Sequence, residues 1–434
     1  MLTIASLLLR DQIAEGSEPS ANFLLLKLLP AAPIDVASMP LNLAIVIDNS
    51  TSMHIWRQPI REAIAAACQA VDLLGPNDSI SVVAFQDEAR VFQPQALVRD
   101  KEAIKRAIRS IQDWDSGGTR IAAGVQAALG QILATVAQGG ASSSLGRTTA
   151  AEGGASRLLL LTDGHAEDGP DCLALAREAA SRGVVFTTIG LGEQWNQHLL
   201  AEMAGLARGR WQYVRQASEL SELFRREVAA VKETYIRDLT LRLKLRQGVS
   251  ISKLRQVEPE VADITAERDG AHELVVKLFT MQRQVPLCLL AALQLSPRVA
   301  GRYLLAEIDA TYRLHGSERE QREQVRVELQ VCPAQAADEA GQNGIVLRYV
   351  DVEQIDNDYR QAAVLLEQGA PDEAAQLLMR AHEAAVRTGD DQRAHLIQAT
   401  LAELQRTGQV SAGTRLTGLE ELRATNLLTD SGGA

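Results

Sequence analysis

Asp48, Ser50 and Ser52 recur at every second position directly after a run of mostly aliphatic residues, Leu41-Asn42-Leu43-Ala44-Ile45-Val46-Ile47. A carboxylate and two hydroxyls placed where the chain must turn can converge on one small, hard cation, since such ions take oxygen ligands. The same residue types also serve turns and helix N-caps, so this stretch alone leaves both readings open. Two later segments bear on the choice. Asp113-Trp114-Asp115-Ser116-Gly117-Gly118-Thr119 is a turn-rich loop that puts the Thr119 hydroxyl at a helix start. Leu158-Leu159-Leu160-Leu161-Thr162-Asp163-Gly164 is a second apolar run ending in an acidic turn. Asp48, Ser50, Ser52, Thr119 and Asp163 together supply two carboxylates and three hydroxyls. That set leaves waters and one open position around an octahedral ion, as Mg²⁺ prefers, with Mn²⁺ or Ca²⁺ as substitutes.

The elements that must position these residues follow from periodicity. Both aliphatic runs are too short for an ordinary helix and too apolar for a surface, so each reads as a strand buried on both faces. From residue 41 strands and helices alternate: helices over 59–74, 101–111, 121–136, 170–181, 196–207 and 218–232, and strands over 79–85, 157–162, 184–189 and 210–214. A three-residue turn separates strand 79–85 from 89–92, too short for a parallel crossover, so these form an antiparallel edge hairpin. The fold class is α/β, a doubly wound, mostly parallel six-stranded sheet. A central position for strand 157–162 sets Asp163 beside Asp48 at the carboxyl ends of the strands, where such sheets bind ligands. The Gly- and Ser-rich segment 138–156 enters at the opposite edge and is expected to play no part in the site.

Apolar strands 2–9 and 22–29 precede this unit, and strands over 236–245, 249–257, 273–279, 286–295, 301–311 and 324–331 follow it. The simplest arrangement is an eight-stranded β-sandwich into which the α/β unit is inserted. Residues 332–344 read as a linker. Helices 359–367, 371–387 and 390–404 read as a small packed cap rather than a repeat array.

With 434 residues, two or three domains are expected. The formal charge of −11 and the lack of a dense Lys/Arg block argue against a nucleic-acid or anionic-membrane partner. Cys68, Cys172, Cys288 and Cys332 are far apart and form no metal-ligand pair, which suits reduced, packed thiols. No apolar run approaches bilayer-spanning length, and a cytoplasmic protein is expected.

The spacing Asp48-Asn49-Ser50-Thr51-Ser52, with Thr119 and Asp163 following at a distance, resembles the metal-ion-dependent adhesion site (MIDAS) of a von Willebrand factor type A (VWA) domain, bacterial-type. The resemblance covers roughly residues 40–231 and departs at Thr51, where many members carry Gly. It implies that Ser50 and Ser52 bind the metal directly and that Asp48 and Asp163 act largely through water. Thr119 would bind in either way, and a partner's Asp or Glu would complete the shell. The expected domains are then 1–39, the first sandwich strands; 40–234, the VWA domain; 235–334, the rest of the sandwich; and 350–425, a helical region.

A cation held chiefly by neutral hydroxyls stays electrophilic, which favours capture of a carboxylate. The expected function is therefore a non-enzymatic, metal-dependent protein-binding module. Metal-assisted hydrolysis would need a base near a metal-bound water, and His54 and His165 are the candidates near the loops. A third reading is a structural metal capped by a carboxylate of the same chain. There is no Gly-x-x-x-x-Gly-Lys loop, so the chain is not itself a P-loop enzyme. An ATPase or GTPase partner fits the resemblance, because some members serve such enzymes. Trp56, Trp114 and Trp195 fall near the metal loops or past strand ends and are expected to form an aromatic rim that selects the partner.

Overall fold

The computed structural model describes residues 2–425 except 17, 31–39, 56–58, 140–154, 165, 167, 193–194, 265, 271, 284, 315–316 and 318. The chain divides into two compact units, one of residues 37–233 and one combining 1–36 with 234–434. In chain order the second unit contributes β1 (Leu2–Leu8), β2 (Gln12–Ala14) and β3 (Ser20–Pro30) before the first unit begins.

The α/β unit runs β4 (Leu41–Asp48), α1 (Thr51–His54), α2 (Pro59–Leu73), β5 (Ser79–Phe85), β6 (Ala89–Leu97) and α3 (Lys101–Arg109). A 3₁₀ turn at Ser110–Asp113 follows, then α4 (Ile121–Gly139), β7 (Ala155–Thr162), α5 (Gly169–Ser181), β8 (Val184–Leu191), α6 (Gln197–Leu206), β9 (Arg210–Val214) and α7 (Leu220–Lys232). The sheet order is β6-β5-β4-β7-β8-β9. All neighbours are parallel except β5 and β6, the expected antiparallel edge.

All eight residues of β4 are buried, because helices cover both faces of the sheet. Leu41, Leu43, Ile45 and Ile47 join one core with α2, α3 and α7. On the opposite face α4 comes close enough that a Cβ at Gly124 would stand 2.6 Å from the Phe85 ring and 3.0 Å from Val46. From β4 the chain winds through α2 to β5 on one side, and from β7 through α5 to β8 on the other. The gap between β4 and β7 is therefore the topological switch point, the natural ligand crevice of such a sheet. Residues 140–154, most of the Gly- and Ser-rich segment expected to be inert, lie outside the described residues. Ala155, just after them, donates to the Pro40 carbonyl at 3.0 Å, at the amino edge of the sheet.

The other unit resumes with β10 (Thr234–Leu245), β11 (Val249–Glu258), β12 (Ala262–Asp263), β13 (Ala266–Arg268), β14 (Glu273–Gln282), β15 (Leu287–Leu295), β16 (Gly301–Leu314) and β17 (Glu320–Cys332). These form sheets of order β1-β3-β15-β11-β12 and β13-β14-β10-β16-β17-β2. Leu24, Leu26 and Leu28 of β3 face Leu241, Leu243 and Ile308 across a common core, the two-residue period of a sandwich. The expectation of eight strands missed β2, β12 and β13, each of two or three residues and legible only beside a partner.

Among the described residues five helices complete this unit: α8 (Ala334–Ala340), α9 (Gly344–Glu367), α10 (Pro371–Thr388), α11 (Asp391–Thr407) and α12 (Ala412–Glu421). The expected linker at 332–344 is corrected, since β17 ends at Cys332 and α8 follows almost at once. Helix α9 starts fifteen residues ahead of the expected 359, capped by Asn343, whose Oδ1 accepts from Ile345 N and Val346 N at 3.0 and 3.2 Å. Val346 and Tyr349 pack on Leu25, Val257, Cys288 and Leu290, on the outer face of the five-stranded sheet. The helical region is thus continuous with the sandwich and is not a body of its own. Among the described residues no helix is long and apolar enough to cross a membrane.

Candidate metal centre

Strand β4 ends by placing Asp48, fully buried, at the switch point. Asp48 Oδ1 accepts from Ser50 N at 2.7 Å and Oδ2 accepts from the Thr162 hydroxyl at 2.5 Å. Burial pushes the Asp48 pKa up to about 6, although the bonds from Ser50 and Thr162 oppose it. An ionised carboxylate in this position is stabilised by a nearby cation. The Ser50 and Ser52 hydroxyls lie 3.0 Å apart, and Ser52 Oγ donates to Asp163 Oδ1 at 2.7 Å. Burial also raises the Asp163 pKa, with the Ser52 bond opposing.

The middle loop is tied to the first at several points. Ser50 and Gly117 form a parallel bridge, and Thr51 N donates to the Gly117 carbonyl at 3.0 Å. The Asn49 amide donates to the carbonyls of Trp114 at 3.3 Å and Asp115 at 3.0 Å. A Cβ at Gly117 would fall 2.1 Å from Gln86 Oε1 and 2.6 Å from Asp87 Oδ2, so a side chain there would push both of those side chains aside. Gly118 N is held by Asp87 Oδ2 at 3.1 Å. Thr119 stands beside the third loop, with its Oγ1 3.4 Å from where a Cβ on Gly164 would lie. The structure thus brings Asp48, Ser50, Ser52 and Asp163 into one hydrogen-bonded chain and sets Thr119 next to it.

These residues fit a small hard dication. Neighbouring oxygens around an ion with ~2.1 Å bonds stand ~3.0 Å apart, the separation of the Ser50 and Ser52 hydroxyls. Among the described residues no three His, Cys, Asp or Glu side chains group as metal ligands. An ion here would be held by the Ser50 and Ser52 hydroxyls, with the carboxylates of Asp48 and Asp163 behind them.

Sequence reasoning gave no role to Asn49, Thr162 or Asp87. Asn49 is fully buried; the one signal was an amide standing between a strand-end acid and the first hydroxyl. Asp87 read as an ordinary hairpin-turn residue. His54 Nε2 lies 2.9 Å from Asn49 Oδ1, so that ring is engaged in supporting the first loop. His165 and Trp56 lie outside the described residues. Trp114 is half-buried beside Phe92, ring centroids 5.8 Å apart. The rim expectation is corrected at Trp195, which is 5% exposed. Its indole donates to the Gly192 carbonyl at 2.8 Å and stacks on Tyr213. Gly190 makes this space, since a Cβ there would meet the indole at 2.2 Å.

The sequence profile of the von Willebrand factor type A domain matches residues 42–226, spanning all three loops. An uncharacterized Synechocystis sp. protein, sll0103, is 31% identical over 319 residues, covering 71% of this chain and 70% of that protein. The chain belongs to the von Willebrand factor type A family. The uncharacterized protein YfbK of Escherichia coli is 24% identical over 232 residues, 52% of this chain and 37% of that relative's length. A von Willebrand factor type A structure from Catenulispora acidiphila superposes with a TM-score of 0.78 at 19% identity, covering 98% of this chain and 97% of that one. The ArnB paralog VWA2 from Sulfolobus acidocaldarius follows at 0.57 and 15% identity, covering 97% and 98%. At these identities the likenesses show a fold shared with those two proteins, over nearly the whole of each chain.

Proposed function

We propose that this VWA protein is a non-enzymatic, metal-dependent binding module that captures an Asp or Glu side chain of a protein partner, with Mg²⁺ as the resident ion and Mn²⁺ or Ca²⁺ as substitutes. The observation that carries the reading is the hydrogen-bonded chain Ser50–Ser52–Asp163 with its 3.0 Å hydroxyl pair. Bound there, a dication supplies an electrophilic position for an incoming carboxylate. Ser50 and Ser52 hold it without neutralising it. Asp48, through its bond from Ser50 N, fixes the backbone turn that presents both hydroxyls. Thr162 holds the Asp48 carboxylate in turn. A cytoplasmic setting and an ATPase or GTPase as partner belong to the same proposal.

Calorimetric titration with Mg²⁺ tests the site. Asp48→Ala and Asp163→Ala should abolish the binding isotherm of the full chain, and unchanged affinity in both variants would remove the assignment. Pull-down from native lysate should then lose its partner on addition of chelator.

A further inference from the structure

Helices α2 and α3 enclose a groove of about 340 Å³, lined by Arg61, Ile64, Ala65, Cys68, Lys105 and Arg109 among others. Its floor is apolar, and its walls carry Arg61, Lys105 and Arg109 against the one carboxylate of Asp72. Lys105 is partly neutralised by Asp72 at 2.6 Å and Glu102 at 3.2 Å. Arg61 and Arg109 are exposed, and neither is in an ion pair among the described residues. Helix α3, Lys-Glu-Ala-Ile-Lys-Arg-Ala-Ile-Arg, carries four cations and one anion in a chain whose formal charge is −11. Arg109 in the last turn of α3 is explained by the helix dipole, which favours a cation there. Arg61 is not, because the first turn of a helix disfavours a cation.

The placement of these two arginines relates the groove to the metal loops. Arg61 is in the first turn of α2, which follows the short helix carrying Ser52. Arg109 ends α3, five residues before Trp114, whose carbonyl is bound by Asn49. Both therefore stand at the ends of α2 and α3 that connect to the metal loops, while Lys105 and Cys68 lie further along the helices. The geometry points to this groove as the docking channel for an acidic segment of the protein partner, continuous with the carboxylate offered at the metal loops. The inference rests on the metal-capture reading only for where the segment begins. A bare ion accepts any accessible carboxylate, so discrimination must come from contacts beside it. Two unpaired guanidiniums on an apolar floor select an acidic chain over a neutral one and speed its approach.

The test uses the full chain and a fluorescein-labelled deca-glutamate followed by anisotropy in Mg²⁺ and in chelator. Arg61→Glu/Arg109→Glu should weaken binding at least ~10-fold in both conditions. Arg61→Lys/Arg109→Lys should retain most of it and keep the salt dependence. Arg177→Glu, exposed on α5, should leave it unchanged. Equal melting temperature and Mg²⁺ affinity across the variants establish that the fold is intact; where the reversal fails this check, Arg61→Gln/Arg109→Gln replaces it. Wild-type affinity in the charge-reversed or neutral variant overturns the groove, as does failure of the wild type to bind the peptide. Sensitivity to the arginines without sensitivity to chelator supports the groove and removes the metal reading, and the reverse pattern does the opposite. Tighter binding of a labelled deca-thymidylate that is lost on the same substitutions also overturns it, because the channel would then be one for nucleic acid.

Discussion

Asn49 donates its amide to the Asp115 carbonyl at 3.0 Å, joining the end of β4 to a loop more than sixty residues away. The same amide reaches the Trp114 carbonyl, and its oxygen faces His54. One buried side chain thus sets the distance between the loop that carries Ser50 and Ser52 and the loop that carries Thr119. Asn49→Ala is expected to cost about 1–3 kcal/mol, the penalty for leaving buried partners unsatisfied, and to weaken Mg²⁺ binding although Asn49 is not itself a ligand. Denaturant unfolding and calorimetry on one preparation check this; an unchanged Mg²⁺ isotherm would remove the bracing role.

Trp114 and Trp195 should separate by function. Trp195→Ala empties a core position and is expected to cost about 3–5 kcal/mol of stability. Trp114→Ala should cost less stability, since the residue is half-buried, and at least ~2 kcal/mol of partner affinity if it anchors the partner. Unfolding curves and partner titrations read the two effects independently.

Arg255 holds α9 to the sandwich. It is buried, with Nη1 3.2 Å from Glu353 Oε1, Nη2 2.9 Å from Asp356 Oδ2 and Nε 2.9 Å from Asp263 Oδ1, although Nε and Nη2 lack hydrogen-bond alignment. Arg255→Met removes one of two cations from each buried carboxylate, since Glu353 keeps Lys253 and Asp356 keeps Arg360, and about 1.5–3 kcal/mol of destabilisation is expected. The loss should show as early hydrogen exchange of α9 while the metal loops keep their protection.

All four cysteines are buried and free. Burial pushes the Cys288 thiol up to about 12 and raises those of Cys68 and Cys172. Because the thiolate is the reactive form, these groups should stay inert to iodoacetamide at pH 7–8 in the folded chain and react on unfolding. Reactivity should climb only as pH rises toward those elevated values. Rapid alkylation of Cys288 in the native chain at neutral pH would contradict this.

Much of the α/β unit was legible because its information is local. Aliphatic runs, helical periods and short connections fix the strand order, and the order alone brings Thr162 and Asp163 beside Asp48. What was not legible depends on partners distant in sequence. The start of α9 was obscured because Glu353, Asp356 and Asp358 interrupt its apolar stripe; they are buried beside Arg255 and Arg380, which no local pattern reveals. Trp195 read as a loop residue because the space that receives it is made by a glycine inside β8. Asn49 bonds backbone carbonyls, and those leave no trace in residue type.

The pairing of β3 with β15 has a consequence for biosynthesis. Leu25 finds its neighbour in Leu290, and the whole α/β unit is translated between them. At ~5–20 residues per second that interval is on the order of tens of seconds. Throughout it the nascent chain carries an apolar hairpin, β1 with β3, whose free edge invites pairing with other chains. Ribosome-stalled chains ending before β15 should therefore recruit chaperones that release once β15 emerges, with the α/β unit already folded on the nascent chain.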